Sequence, residues 1–204
     1  MYDFFSVEMK SCIKGEQVLF TFNGFKEMYL GLLTEAEYKE YKDNMNSVQR
    51  KRCQSGTIGK ITSDGVWYAV FDLNGTQMKA IETHAIRFSP SISQQEIQSA
   101  TPAADESFVF NAEDTPSDGV MIDHWKKHQH KNSTINLENK TFKCPSCGKT
   151  VKTEELHGAH VSKALGHDNK LYITPTCNTC NTNKNSRIFK VKTIDLVVAP
   201  PLKK

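Results

Sequence analysis

The chain has 204 residues and a mass of 23.0 kDa, with 38% apolar and 24% charged residues and a mean hydropathy of −0.52. That length gives one or two domains and a buried core, and no apolar run approaches the roughly 20 residues of a membrane span, which excludes a miniprotein and a helical membrane protein. The net charge of +3 hides an asymmetry. Residues 1–118 carry 11 Lys and Arg against 17 Asp and Glu, a balance of −6, while residues 119–204 carry 15 against 6, a balance of +9. An excess of that size attracts polyanions, so nucleic acid is the partner expected of the second half. A protein partner is the alternative occupant of the acidic first half. The opening Met-Tyr-Asp-Phe-Phe lacks the order of a secretory leader, so a cytoplasmic address and no membrane partner are expected.

In chain order, Glu16–Phe22 reads as a strand, and Thr34 followed by Glu37 forms a capping box for a helix over about 34–53, closed by Gly56. Thr57–Thr62, Val66–Asp72, Gln77–Glu82 and His84–Phe88 are β-rich runs separated by Ser-Asp-Gly and Leu-Asn-Gly turns. Five short strands in a meander suggest a small barrel. The runs Gly-Glu-Gln-Val-Leu-Phe, Gly-Thr-Ile-Gly-Lys-Ile and Trp-Tyr-Ala-Val-Phe-Asp resemble SH3-like barrels of the Tudor and KOW kind, here with a helical insertion. Trp67, Tyr68 and Phe71 are read as core ahead of a ligand groove.

From Ser89 to Gly119 the composition turns to Ser, Gln, Pro, Ala and acidic residues, and residues 91–118 read as an acidic linker interrupted by Phe108-Val109-Phe110. Ser117 or Asp118 can cap a helix from about Val120 to His130, with Met121, Trp125 and His128 near one face and Lys126, Lys127 and Lys131 on its basic side, placed to meet phosphates. Three segments result: an SH3-like domain over 1–90, the linker, and a zinc domain over 119–204.

Two Cys-x-x-Cys pairs, Cys144/Cys147 and Cys177/Cys180, lie in that basic half with 29 residues between them. Zn²⁺ in structural sites takes four tetrahedral thiolate or imidazole ligands, and two such turns complete a Cys₄ shell. Cys12 and Cys53 have no matching partner and read as ordinary thiols. Between the pairs run Leu156-His-Gly-Ala-His160-Val161 and Leu171-Tyr-Ile-Thr-Pro-Thr176, and the second pair continues as Cys177-Asn-Thr-Cys180-Asn181-Thr-Asn-Lys184-Asn185. Asn181 and Asn185, at i and i+4, share a face of the helix that Cys180 opens, as two metal ligands must. Over about residues 140–188 this arrangement resembles the zinc-bearing HNH endonucleases.

The resemblance implies a treble-clef ββα unit within an α+β chain, and metal-dependent hydrolysis of phosphodiester bonds in nucleic acid, DNA before RNA. Carried over by motif position, His160 is the general base and Asn181 a ligand of a catalytic Mg²⁺ or Mn²⁺, with Lys184 facing the scissile phosphate. Imidazole suits the activation of water near neutral pH, and a divalent ion stabilises the leaving oxygen. Two positions depart from the family pattern. Ala159 stands where an Asp or His ligates the ion, for which His157 is the substitute, and Tyr172 stands where an Asn steadies the base. The alternative reading is a noncatalytic zinc module that binds nucleic acid or protein with a degenerate HNH site.

Overall fold

A computed structural model describes residues 4–22, 27–44, 51–72, 83–112, 120–164, 170–182 and 187–201. The architecture is strand-rich with few helices, α+β in the broad sense, and divides into two compact units, Met1–Phe88 and Ser89–Lys204. No helix among the described residues is long and apolar enough to cross a membrane.

In the first unit, β1 (Phe4–Cys12), β6 (Gly65–Asp72), β3 (Met28–Thr34) and β4 (Lys51–Cys53) form one sheet in that order. A second sheet has the order β5 (Thr57–Lys60), β2 (Gln17–Phe22), β7 (Thr83–Phe88). Alternate residues of both, among them Met9, Val18, Phe20, Met28, Trp67 and Phe71, form the core. The core reading of Trp67 and Phe71 therefore holds, whereas Tyr68 is half-buried and stacks on Tyr38 with ring centres 3.9 Å apart. Buried Arg87 donates from Nε to buried Glu16 at 2.8 Å and from Nη1 to the Lys10 carbonyl, so the charge pair ties β7 to the turn after β1.

The capping box forms: Glu37 N–H donates to Thr34 Oγ1 at 3.4 Å, and Thr34 N–H donates to Glu37 Oε2 at 2.8 Å. The helix it opens, α1 (Glu35–Asp43), is shorter than expected. Asn44 leaves the helical region with φ −145°, and Lys51–Cys53, expected as the helix end, pairs with Met28–Leu30 instead. The β3 edge offers Lys51–Cys53 backbone partners that a helix end would not. The expected strand 77–82 lies outside the described residues.

In the second unit, β8 (Glu106–Asn111) and α2 (Gln94–Ser99) fall within the stretch expected as a linker. β8 is an inner strand of a five-stranded sheet that also contains β11 (Leu156–Lys163), β12 (Tyr172–Cys177), β13 (Phe189–Lys192) and β14 (Val197–Val198), in the order β13-β8-β11-β12-β14. Phe108 and Val109 are buried there, and burial of this apolar triplet outweighs the polar composition around it. α2 has a capping box of its own, Ser93 with Glu96, and Glu96 Oε1 accepts from Lys190 Nζ of β13 at 2.8 Å.

The continuous strand expected over Phe189–Val198 is broken by a 3₁₀ turn, Thr193–Asp195. β13 and β14 sit at opposite edges of a sheet that would be about 19 Å wide if flat. The short link through that tight turn does not span such a width, so the sheet curls toward closure. Its two faces carry different cores. Val109, Ala159, Val161, Tyr172, Phe189 and Val191 pack on one, and Leu156, Ile173 and Val197 pack on the other against Ile122 and Trp125 of α3 (Val120–His128). Trp125 Nε1 donates to the Asp195 carbonyl at 2.8 Å, which anchors the helix to the 3₁₀ turn.

Candidate metal centre

A hairpin of β9 (Thr141–Lys143) and β10 (Thr150–Lys152) carries the first cysteine pair in its turn. Gly148 adopts φ 75°, a conformation that glycine reaches without strain, and its N–H donates to the Cys144 carbonyl at 2.8 Å while Cys144 N–H donates to Lys149 at 2.9 Å. The second pair straddles the end of β12 and the short helix α4 (Asn178–Thr182), so Cys177 leaves a strand and Cys180 lies in the helix that follows.

The four Sγ atoms lie within 4.8 Å of one another, and those of Cys147 and Cys177 are 3.8 Å apart. A tetrahedron with Zn–S arms of about 2.3 Å has edges of about 3.8 Å, whereas a disulfide needs about 2.05 Å. All four cysteines are free thiols in this geometry; Cys144, Cys177 and Cys180 are buried and Cys147 half-buried. The donor set fits a structural zinc with no position open for water.

Electrostatics points the same way. Hydrogen bonds from Cys144 and then from Cys177 and Cys180 hold the Cys147 thiol far below its ordinary range, and Cys144 draws Cys177 down to about 6. Bonding to Cys147 and then Cys177 and Cys180 pushes Cys144 well up. Four crowded thiols cannot all ionise beside one another, and a divalent cation removes that conflict.

Among the described residues, the expected base His160 and the expected ligand His157 lie on one strand. β11 and β12 pair without a break in register, with His157 opposite Thr176, Ala159 opposite Thr174 and His160 opposite Ile173. Residues three apart on a strand point to opposite faces, so His157 and His160 do not converge. α3 covers the His160 side, since a Cβ on neighbouring Gly158 would lie 2.5 Å from the Met121 carbonyl carbon. His160 is only 4% exposed there. The other side lies under α4: Asn111, opposite Val161 in the register, donates from Nδ2 to the Cys180 carbonyl.

Asn181 belongs to α4 and is half-buried, on the sheet face that carries His157 and Ala159, away from His160. Ala159 is fully buried and brings no ligand atom. On the same face Thr174 and Thr176 are fully buried, and their hydroxyls have no hydrogen-bond partner among the described residues. Tyr172 is buried with Lys163 Nζ 4.9 Å from its ring centre, a packing role that differs from steadying a base. Lys184 and Asn185 lie outside the described residues. Lys126 and Lys127 are exposed on α3, Lys126 within 3.3 Å of Asp123.

Sequence reasoning passed over four lysines of the zinc hairpin. Lys140, Lys143, Lys149 and Lys152 are all exposed, while the intervening Phe142 and Val151 turn inward to the α3 core. The alternation Thr-Phe-Lys and Thr-Val-Lys puts Lys143 and Lys152 on the face opposite Phe142 and Val151 and is the signal that marks it, while Lys140 and Lys149 flank the two strands. Comparisons with protein families, with curated proteins and with solved structures give no match for this chain.

Proposed function

We propose that residues 89–204 form a zinc-stabilised module that binds nucleic acid, DNA before RNA, on the lysine-bearing side of its zinc hairpin. In this reading the hairpin and α4 keep the treble-clef ββα frame that the motif suggests, and the first unit is an SH3-like barrel. The observation that carries it is the placement of His157 and His160 on opposite faces of β11 with Ala159 between them. A phosphodiester hydrolase of HNH type needs base and metal ligands around one water, and among the described residues the base and its neighbouring ligand face opposite ways, which favours binding over a Mg²⁺ or Mn²⁺ reaction. What the chain keeps is the Cys₄ set, the balance of +9 over 119–204 and the exposed lysines of the hairpin.

The test uses the zinc-loaded full chain with fluorescent single-stranded DNA, duplex DNA and RNA. Binding should weaken as salt rises, by counterion release, and the probes should stay intact in Mg²⁺ or Mn²⁺. Cleavage that needs the divalent ion and is lost in His160→Ala would restore the endonuclease reading.

A further inference from the structure

Beside the zinc hairpin the second unit holds a surface cleft of about 510 Å³, within the range of about 300 to 1,000 Å³ typical of ligand sites. Its wall is mostly apolar, with Ile135, Phe142, Pro145 and Val191 in it. Cys144 and Cys147 lie in the same wall, so the turn that presents two zinc ligands also shapes the cleft. Phe142 is half-buried, which leaves part of this aromatic residue open to a ligand.

Two polar groups of the lining are left without a counterpart. Thr174 is fully buried, and its hydroxyl has no hydrogen-bond partner among the described residues. A buried hydroxyl left unmatched is costly, and the polar edge of a ligand would satisfy it. Lys143 is exposed and makes no ion pair among the described residues. The other charged groups of the lining are already matched. Lys190 meets Glu96 at 2.8 Å and Glu106 at 3.3 Å, and Lys192 meets Asp105 at 2.7 Å and Glu106 at 3.2 Å. The Asp195 carboxylate accepts from Thr134 N–H at 2.7 Å and from the Ser133 hydroxyl at 2.8 Å. The charge left for a ligand is therefore the positive one of Lys143.

A ligand that matches this lining has a flat apolar body, hydrogen-bonding atoms on its edge and a negative charge beside it. A nucleobase with its phosphate has all three. We propose that the cleft takes one unpaired base of single-stranded nucleic acid, with the adjoining phosphate at Lys143. This rests on the nucleic-acid reading above and narrows it to single strands, because a base in a duplex has its edge paired and its faces stacked. The Thr174 hydroxyl both donates and accepts, so it holds a base edge without choosing among the four.

Anisotropy titrations of the zinc-loaded full chain test this with three probes of equal length: single-stranded DNA, the same sugar-phosphate strand without bases, and duplex DNA. The base-bearing single strand should bind about tenfold more tightly than the abasic one. Thr174→Val should weaken the base-bearing single strand by about fivefold and leave the abasic strand and the duplex unchanged, while Thr174→Ser, which keeps the hydroxyl, retains the affinity. Lys143→Ala should lower the log–log salt slope on the single strand by about 0.7. An abasic strand held as tightly as the base-bearing one, or a Thr174→Val variant with wild-type affinity, would overturn the base cleft, and salt-sensitive binding of all three probes would then leave the wider reading standing. Binding to none of the probes would overturn both.

Discussion

The sulfurs of Cys147 and Cys177, from elements 30 residues apart, stand 3.8 Å from each other, the edge of a zinc-centred tetrahedron. A site assembled from a hairpin turn and a strand end exists only in the folded chain, so metal affinity and folding free energy are linked. Cys177→Ser should therefore lose the tight zinc and unfold the second unit at a much lower temperature. Protons compete for the thiolates, so zinc should leave as pH falls. Metal analysis and thermal unfolding with and without chelator measure both effects.

Gly158 is where α3 meets the sheet most closely. A side-chain methyl there would meet Met121 carbonyl carbon at 2.5 Å and Ile122 nitrogen at 2.6 Å, both backbone atoms that no rotamer change can move. Gly158→Ala should cost about 1 to 3 kcal/mol, as other overpacked cores do. Urea unfolding of the full chain, with an unchanged m-value, would read it.

Glu96 gives a pH signature to the segment that resembles a linker. The hydrogen bond from Lys190, with those from Ser93, lowers its pKa to about 2 from an ordinary 4.5. A carboxyl depressed on folding stabilises the native state above its unfolded pKa, and that contribution disappears as pH falls from about 4.5 to 2. Glu96→Gln should flatten the acid limb of the stability curve over that window and leave pH 7 to 9 flat. An unchanged acid limb would mean that α2 is not held on β13 in solution.

The hydroxyls of Thr174 and Thr176 give a prediction of the opposite sign. Each is buried on the β11–β12 pair without a partner among the described residues, at a desolvation cost of about 1 to 3 kcal/mol. Thr174→Val keeps the shape and removes the polar atom, so it should raise the denaturation midpoint. A lower midpoint would show that the hydroxyl holds a water or an ion that the valine expels.

Much of this was legible in the residues themselves, because some signals are local. The Thr34 and Glu37 cap, the two Cys-x-x-Cys turns and the aromatic core residues Trp67 and Phe71 each depend on neighbours a few positions away. The rest depends on pairing partners far along the chain. Lys51–Cys53 becomes a strand only because Met28–Leu30 offers an edge, and Phe108-Val109-Phe110 reads as an interruption until β11 and β13 flank it. The candidate catalytic residues fall in the same class. The spacing of His157 and His160 suggests cooperation by motif, but a strand's period of two sends them apart, which follows once 156–163 is known to be strand throughout.

The proposed role separates from an endonuclease's by whether bound nucleic acid stays uncut. The most direct measurement is a single-turnover incubation of zinc-loaded full chain, in excess over labelled single-stranded and duplex DNA, with Mn²⁺ or EDTA, with binding followed by anisotropy in the same samples. The expected result is salt-sensitive binding that Lys143→Ala/Lys152→Ala weakens, with a log–log salt slope smaller by about 2, and uncut DNA with Mn²⁺ and with EDTA alike. Mn²⁺-dependent cleavage by the wild type, abolished by His160→Ala with binding retained, would contradict it.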